Sequence, residues 1–150
     1  MPPLLIDTNL LVYAFDQNDP VRQDRAVKLL REIELRGIGR LSVQALAEFY
    51  SASTRRLRPP LTPDVAFDHI ERLARAFLIL DLTPHVVLEA ARGVRDHQLN
   101  YWDAQVWAIA RLNQIAVVLS EDFSAGASLE GVRFVDPLAA EFDLSAWDHG

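Results

Sequence analysis

Short apolar runs alternate along the chain with longer segments in which apolar residues recur at helical spacing. The short runs, which we predict to be strands, lie at Leu4 to Asp7, near Ile38 to Ser42, at Phe77 to Asp81, at Ile115 to Ser120 and at Val132 to Val135. We expect helices between them, because apolar positions there follow the helical period of about 3.6 residues. Strands that alternate with helices are typical of a mostly parallel α/β sheet.

Capping residues, prolines and a glycine mark the helix boundaries. Three helices are predicted to begin where a polar residue is followed directly by proline, at Asp19-Pro20, Thr62-Pro63 and Thr83-Pro84. The first of these should run to about Arg36 and stop at Gly37. Two further helices follow from apolar spacing, at Val43 to Arg56, before the turn at Pro59-Pro60, and at Tyr101 to Leu112, capped by Asn100.

Composition favours one compact domain. The chain has 150 residues, half of them hydrophobic, so we expect a single domain over residues 1–150. No apolar run approaches the roughly 18 residues needed to span a bilayer, and no leader-like stretch is recognisable. We therefore expect a soluble, cytoplasmic protein without membrane contact. The lack of cysteine excludes disulfides, thiolate metal sites and a cysteine nucleophile.

Charge is distributed unevenly along the chain. A formal net charge of −6 argues against a protein that binds nucleic acid by bulk attraction alone. The segment from Arg22 to Arg58 nevertheless carries +5, whereas the remainder carries −11. Within that segment, Arg55, Arg56 and Arg58 are candidates for steering a polyanion toward an acidic pocket. The alternative explanation is a solvated helix face.

Two of the predicted strands end on acidic residues. The first strand ends at Asp7, with Thr8 next, and the fourth runs out into Ser120, Glu121 and Asp122. In an open parallel sheet, ligands bind beyond the carboxyl ends of the strands, where the strand order reverses. If these two strands are neighbours, Asp7 and Asp122 face one crevice.

Two more acids lie on helices with little polar surface. Glu48 is the only charge in "SVQALAEFYSAS", and Asp103 precedes an almost wholly apolar helix. A buried ionised carboxylate is costly unless it is paired or coordinates a metal. Each of these acids therefore requires a partner.

Every one of these acids also has an ordinary structural explanation. Asp7 could cap the helix that follows it, and Asp122 could be a turn residue. Asp103 could interact with the positive end of its helix dipole, and Glu48 could reach solvent or pair with an arginine. Glu121 fits a solvated loop residue. Taken singly, none of these positions distinguishes the structural explanation from a functional role.

Taken together, the acids favour a metal site. Two carboxylates about 4 Å apart repel by roughly 4 kcal/mol at an effective dielectric constant of about 20, so a cluster of three or four needs either a cation or raised pKa values. Oxygen ligands without cysteine or clustered histidine select Mg²⁺ or Mn²⁺, which bridge to substrate phosphates. Phosphoryl transfer is the chemistry this favours. Glycine-rich phosphate loops, G-x-S-x-G and H-E-x-x-H are all absent from the sequence.

The order of these motifs resembles the PIN-domain family, in particular the VapC-type toxins of bacterial toxin–antitoxin pairs. The resemblance is carried by "LLIDTNLLVY" at residues 4–13, by Glu48 in "ALAEFY", by Asp103 in "YWDAQVWAIA" and by "VVLSEDFSAGASLEGVRFVDP" at residues 117–137. It covers nearly the whole chain, and the ordered set is far more specific than D-T-N alone.

The resemblance implies a three-layer α/β/α fold with a five-stranded parallel sheet in the order 3-2-1-4-5. It also implies catalytic and metal-binding roles for four acids, Asp7, Glu48, Asp103 and Asp122. The polar residues that would support them are Thr8, Asn9 and Ser120. Since the fourth acid of the family varies in position, Glu121 could share the role of Asp122.

A Mg²⁺- or Mn²⁺-dependent endoribonuclease is the function this resemblance implies, as the toxin of a type II toxin–antitoxin pair. Similar proteins form homodimers, leave 5′-phosphate and 3′-hydroxyl ends on RNA, and are inhibited by a cognate antitoxin. Two alternatives remain open, a catalytically silent domain that only binds a protein partner and a metal-dependent DNA nuclease. A phosphate-accepting aspartate is disfavoured, because the only lysine, Lys28, lies early in the chain.

Overall fold

The computed structural model describes residues 2–121 and 127–149. Its strands are β1 (Leu4–Ile6), β2 (Gly39–Ser42), β3 (Leu78–Leu80), β4 (Val117–Leu119), β5 (Ser128–Leu129) and β6 (Val132–Val135). Its α-helices are α1 (Thr8–Tyr13), α2 (Pro20–Arg36), α3 (Val43–Arg55), α4 (Pro63–Ala76), α5 (Pro84–His97) and α6 (Tyr101–Leu112). A 3₁₀ helix covers Leu144–His149.

The strands form one sheet in the order β3-β2-β1-β4-β6-β5. The first five of these are mutually parallel, and β6 coincides with the fifth strand predicted from sequence. The predicted α/β class and the order of the parallel strands are therefore confirmed. In particular, β1 and β4 are central neighbours, with Ile6 paired to Leu119.

The sixth strand, β5, was not predicted. It pairs with β6 in the antiparallel sense through a two-residue turn, in which Glu130 has φ 48° and Gly131 has φ 87°. Two successive positive φ angles give a turn whose twist matches that of the flanking strands. The hairpin therefore extends the parallel sheet at one edge.

The predicted helix starts are seen as side-chain caps. Asp19, Thr62, Thr83 and Asn100 each accept a hydrogen bond from the backbone N–H three residues ahead. Such bonds satisfy amides that no helical carbonyl can reach. At the other end of α2, Gly37 adopts the left-handed conformation with φ 69°, which ends the helix where expected.

Apolar side chains leave the sheet on both faces and build two cores. Leu4 and Ile6 point into a core shared with helices α1 to α4, whereas Leu5 points into a core built with α5 and α6. Val118 of β4 belongs to the second core, and its neighbours Val117 and Leu119 belong to the first. Burial on both faces is what a parallel sheet between two helical layers requires. The result is a three-layer arrangement.

Helix α6 is the most deeply buried helix of the described chain. Residues 104–110 are all buried, and Trp107 is fully enclosed beside Gly93 of α5. Only the first turn of α6 therefore reaches the carboxyl edge of the sheet with accessible side chains. None of the described helices combines the length and apolar character needed to cross a bilayer.

Candidate active site at the carboxyl edge of the sheet

Asp7 lies at the point where β1 ends and α1 begins. Its Oδ1 accepts a 2.8 Å hydrogen bond from the backbone N–H of Thr8, so the carboxylate caps α1. Its Oδ2 accepts a 2.8 Å bond from the hydroxyl of Ser120, at the end of β4. A carboxylate offers about four lone-pair positions, so these two bonds leave its capacity as a metal ligand intact. The capping explanation and the ligand explanation are therefore compatible.

Glu48 of α3 reaches the same place from the neighbouring helix. Its Oε2 accepts a 2.8 Å hydrogen bond from the hydroxyl of Thr8, and its Oε1 accepts one of 2.8 Å from Nε2 of Gln44. Thr8 thus bonds to Asp7 through its backbone and to Glu48 through its side chain. These contacts, rather than an arginine, hold the half-buried carboxylate of Glu48.

Behind Glu48 lies a pair of buried amides that the sequence analysis did not identify. Nε2 of Gln105 donates to Oε1 of Gln44 at 2.8 Å, and the hydroxyl of Tyr101 donates to Oε1 of Gln105 at 2.8 Å. Only 7% of Gln44 and 3% of Gln105 is exposed. The signal that could have found them is a polar residue on an otherwise apolar helix face, as in "DAQVWAIA".

These groups border a cleft of about 870 Å³. The described residues that line it include four acids, Asp7, Asp16, Glu48 and Glu121, and one base, Arg56. The cleft therefore has an excess of negative charge, which concentrates cations. On its rim lies Trp102, whose side chain is 62% exposed in contrast to the fully buried Trp107.

Glu121 lines the cleft and its side chain is hydrogen-bonded. The structural explanation considered for it from the sequence was a solvated loop residue. The hydroxyl of Tyr13 donates to its Oε1 at 2.6 Å, and Nη1 of Arg22 lies 3.5 Å from its Oε2. Arg22 also donates to the Tyr13 hydroxyl at 2.7 Å. The bond to the Glu121 carboxylate, followed by burial, raises the pKa of Tyr13 because both favour the protonated phenol. Tyr13 therefore remains a donor toward Glu121.

Asp103 occupies the first turn of α6, as predicted. Its backbone N–H donates to Oδ1 of Asn100 at 3.0 Å, and its Oδ2 accepts a 2.7 Å bond from Nδ2 of Asn100. Its neighbours Trp102 and Gln105 line the cleft, but the described lining residues do not include Asp103 itself. The structure thus brings the helix that carries Asp103 to the cleft, with Trp102 and Gln105 on the cleft wall.

The other predicted site residues divide into three groups. Asn9 lines the cleft, and its Nδ2 is buried without a hydrogen-bond partner in the part of the chain that the structure describes. Arg56 lines the cleft, whereas Arg55 and Arg58 do not, and a guanidinium nitrogen of Arg58 donates to the Arg55 carbonyl at 3.1 Å. Asp122 lies outside the described residues.

The described residues that line the cleft offer oxygen ligands to a cation. The described histidines do not line it, and residues 2–121 and 127–149 contain no group of three or more acidic, histidine or cysteine side chains arranged to hold a metal. Two carboxylates, those of Asp7 and Glu48, are brought together through Thr8. Carboxylate oxygens are the kind of ligand that a hard divalent ion prefers.

Comparison with known proteins places the fold in context. The family model described as PIN domain matches residues 4–125. The structure is similar to a sarcin–ricin loop cleaving toxin, VapC20 of Mycobacterium tuberculosis, with a TM-score of 0.63 and 22% identity over 87% of this chain and 98% of that chain.

Two structures of complexes show the same fold. A toxin–antitoxin complex from Klebsiella pneumoniae gives a TM-score of 0.65 at 16% identity, covering 89% of this chain and 97% of that one. A DNA-bound VapBC from Salmonella typhimurium gives 0.62 at 16% identity, with the same two coverages of 89% and 97%. No curated protein sequence matches the chain. At these identities, the solved structures demonstrate a shared fold.

Proposed function

Because the chain belongs to the PIN domain family, we propose that it is a Mg²⁺- or Mn²⁺-dependent endoribonuclease and the toxin of a type II toxin–antitoxin pair. The observation that carries the proposal is the joining of Asp7 and Glu48 in one acidic cleft through the backbone and side chain of Thr8. The names of the similar structures, which include a sarcin–ricin loop cleaving toxin and toxin–antitoxin complexes, support the choice of RNA and of an antitoxin partner.

Asp7 and Glu48 are the residues that would hold the metal from the described part of the cleft. We assign Asp103 and Asp122 to the same set by their positions in the family motifs, with Glu121 less suited because Arg22 lies 3.5 Å from its carboxylate and offsets its charge. Thr8 and Ser120 orient the two described carboxylates. Asn9 presents a buried amide that would bind an oxygen atom of a ligand.

The metal ion and the protein would have different roles in the reaction. When bound, a divalent ion lowers the pKa of a water molecule and neutralises charge that develops on a phosphodiester. The protein holds its carboxylates in fixed positions with hydrogen bonds, so that little reorganisation is needed during the reaction. The described lining residues contain no histidine to serve as a general base.

RNA is negatively charged and must approach a cleft that is also negatively charged. Arg56 is the basic residue among the described lining residues, and its exposed position at the rim suits a phosphate contact. Trp102 offers an exposed ring on the same rim on which an unpaired base can stack. Arg55 and Arg58, outside the lining, would act at longer range. We also propose a homodimer, and an antitoxin that places a basic side chain in the acidic cleft.

Cleavage assays with matched variants test the proposal. Wild-type protein and Asp7→Asn are compared on structured RNA, unstructured RNA and DNA, with Mg²⁺, with Mn²⁺ and with chelator. Asp16→Asn is the matched control, because it makes the same change of charge in the same cleft at an acid bonded only to a turn amide among its described partners. Metal-dependent RNA cleavage should be lost in Asp7→Asn and retained in Asp16→Asn.

Four results would contradict this function. Equal cleavage by wild type and Asp7→Asn, or cleavage that survives chelation, would end the metal-nuclease proposal. Cleavage of DNA alone would replace it with the DNA nuclease alternative. Absence of both cleavage and a Mn²⁺-induced thermal shift would favour a domain that only binds a protein partner.

A further inference from the structure

A directed chain of side-chain hydrogen bonds runs through the interior from α6 to Glu48. The hydroxyl of Tyr101 donates to Gln105, Gln105 donates to Gln44, and Gln44 donates to Glu48, each at 2.8 Å. The chain crosses from α6 to α3, between residues 61 positions apart in the sequence. It therefore couples the first turns of α6 to the acidic cleft.

The direction of these bonds is fixed by the group at the end of the chain. An ionised carboxylate only accepts hydrogen bonds, so Gln44 must present its NH₂ group to Glu48. The carbonyl oxygen of Gln44 is then left facing Gln105, which must in turn donate its own NH₂ group. The carbonyl oxygen of Gln105 finally accepts from Tyr101. Each amide has one orientation that satisfies both of its neighbours.

Burial makes those orientations costly to change. Gln44 is 7% exposed and Gln105 is 3% exposed, so an amide that turned over would lose its bonds without gaining water. Glu48 lies on the other side of this pair and has its second oxygen bonded to Thr8. Thr8 is also bonded to Asp7. The carboxylate of Glu48 is thereby held from both sides, by the amide pair and by the residue that contacts Asp7.

We propose that Gln44 and Gln105 are positioning residues that fix the carboxylate of Glu48 relative to Asp7 for divalent-cation binding. This inference rests on the proposed function, because it gives the amide pair a role in that same site. A purely structural role for the pair is the competing explanation. The two differ in what happens when both amides are replaced together.

Replacement of both amides by leucine separates the two roles. The single variants Gln44→Leu and Gln105→Leu each leave a buried partner unsatisfied, so both stability and Glu48 position should suffer. The double variant places two apolar side chains against each other, so no buried amide is left unsatisfied, and Tyr101 and Glu48, which are both partly exposed, can bond to water instead. Stability should then recover toward wild type, whereas the position of Glu48 should not.

The measurements are made on the full chain. Mn²⁺ affinity is obtained by titration calorimetry without RNA, stability by urea denaturation, and kcat and KM by RNA cleavage. Loss of an outer partner of a metal ligand lowers metal affinity by roughly 10-fold to 100-fold, and we expect a change in this range for both single variants and for the double variant. We expect kcat to fall with KM nearly unchanged. Ser53→Ala, a buried polar change on the same helix, is the control and should leave Mn²⁺ affinity at the wild-type value.

Recovery of both stability and Mn²⁺ affinity in the double variant would overturn the inference and assign the pair a structural role. Wild-type affinity in all three variants would overturn it as well, and so would wild-type Mn²⁺ affinity in Glu48→Gln. A wild-type protein that neither binds Mn²⁺ nor cleaves RNA is a different result, because it refutes the proposed function itself.

Discussion

The hydroxyl of Ser120 donates a 2.8 Å hydrogen bond to Oδ2 of Asp7, although the two residues are 113 positions apart in the sequence. The parallel pairing of Ile6 with Leu119 brings them together, because each residue follows its strand directly. Both side chains are buried, Ser120 at 1% and Asp7 at 7% exposure. Ser120 therefore fixes the Asp7 carboxylate from the neighbouring strand, as Thr8 does from its own segment.

Ser120→Ala should destabilise the protein through Asp7. A hydrogen bond to a charged group contributes about 1.5–3 kcal/mol, so the free energy of unfolding should fall by about that amount in urea denaturation. Ser53→Ala removes a buried hydroxyl that donates to the neutral Tyr50 carbonyl and serves as the control, with a smaller loss of about 0.5–1.5 kcal/mol expected. Equal stability of Ser120→Ala and wild type would show that the bond to Asp7 contributes nothing.

Thr8 allows its two contacts to be separated experimentally. Thr8→Val keeps the shape of the side chain and the backbone N–H that binds Asp7, but it removes the hydroxyl that binds Glu48. We expect RNA cleavage to fall by roughly 10-fold to 100-fold, as for other lost partners of metal ligands. The free energy of unfolding should change by only about 1 kcal/mol. Thr8→Ser, which retains the hydroxyl, should cleave RNA at nearly the wild-type rate, and equal loss in both variants would contradict the role of the hydroxyl.

Most features of the fold that were predicted correctly follow from local signals in the sequence. Asp19, Asn100 and the cap-proline pairs are short-range features, and each acts within one helical turn of its own position. The hairpin of β5 and β6 was missed because Glu130 takes the first positive-φ position of its turn, where asparagine or aspartate is the usual signal. Tertiary context, rather than residue preference, holds Glu130 there through its contacts to Arg92 and His97.

Only those features of the site that follow from general rules of sheet topology could be predicted from the sequence. Parallel strands end at one edge, which is why Asp7 and Ser120 could be brought together without coordinates. The pairing of Gln44 with Gln105 depends on which faces of α3 and α6 meet, and that is set by the packing of two cores. The contact between Tyr13 and Glu121, across 108 positions, was beyond prediction for the same reason.

Gly93→Ala should destabilise the protein even though alanine favours helices. In an exposed helix interior, this change stabilises by about 1 kcal/mol. Here a Cβ atom would lie 2.7 Å from Cζ3 and 2.9 Å from Cε3 of the fully buried Trp107. Overpacking against a rigid ring costs about 1–3 kcal/mol, so the net loss of unfolding free energy should be up to about 2 kcal/mol.

A double-mutant cycle with Trp107→Phe identifies the contact responsible, because phenylalanine lacks the second ring that the new Cβ would meet. In the Trp107→Phe background, Gly93→Ala should be neutral or stabilising in urea denaturation. The same loss in both backgrounds would assign the effect to something other than Trp107.

Glu130 should contribute to stability in a way that depends on pH. Its carboxylate accepts hydrogen bonds from Arg92 at 3.0 Å and lies 2.6 Å from Nε2 of His97. The contact with Arg92, followed by that with His97, lowers the pKa of Glu130 from its ordinary 4.5 to about 2. Since the folded protein binds the proton less readily than the unfolded chain, the stabilisation is complete above pH 4.5 and is lost as the pH falls toward 2.

The measurement is the difference in unfolding free energy between wild type and Glu130→Gln, followed from neutral pH into acid. Glutamine keeps an oxygen for hydrogen bonding but cannot ionise, so the difference should be constant above pH 4.5 and shrink steadily toward pH 2. Glu71→Gln, the same substitution at an exposed position of α4, is measured in parallel as the control. A difference for Glu130→Gln that stays constant down to pH 2 would mean that the contacts of Arg92 and His97 do not stabilise the fold through the charge of Glu130.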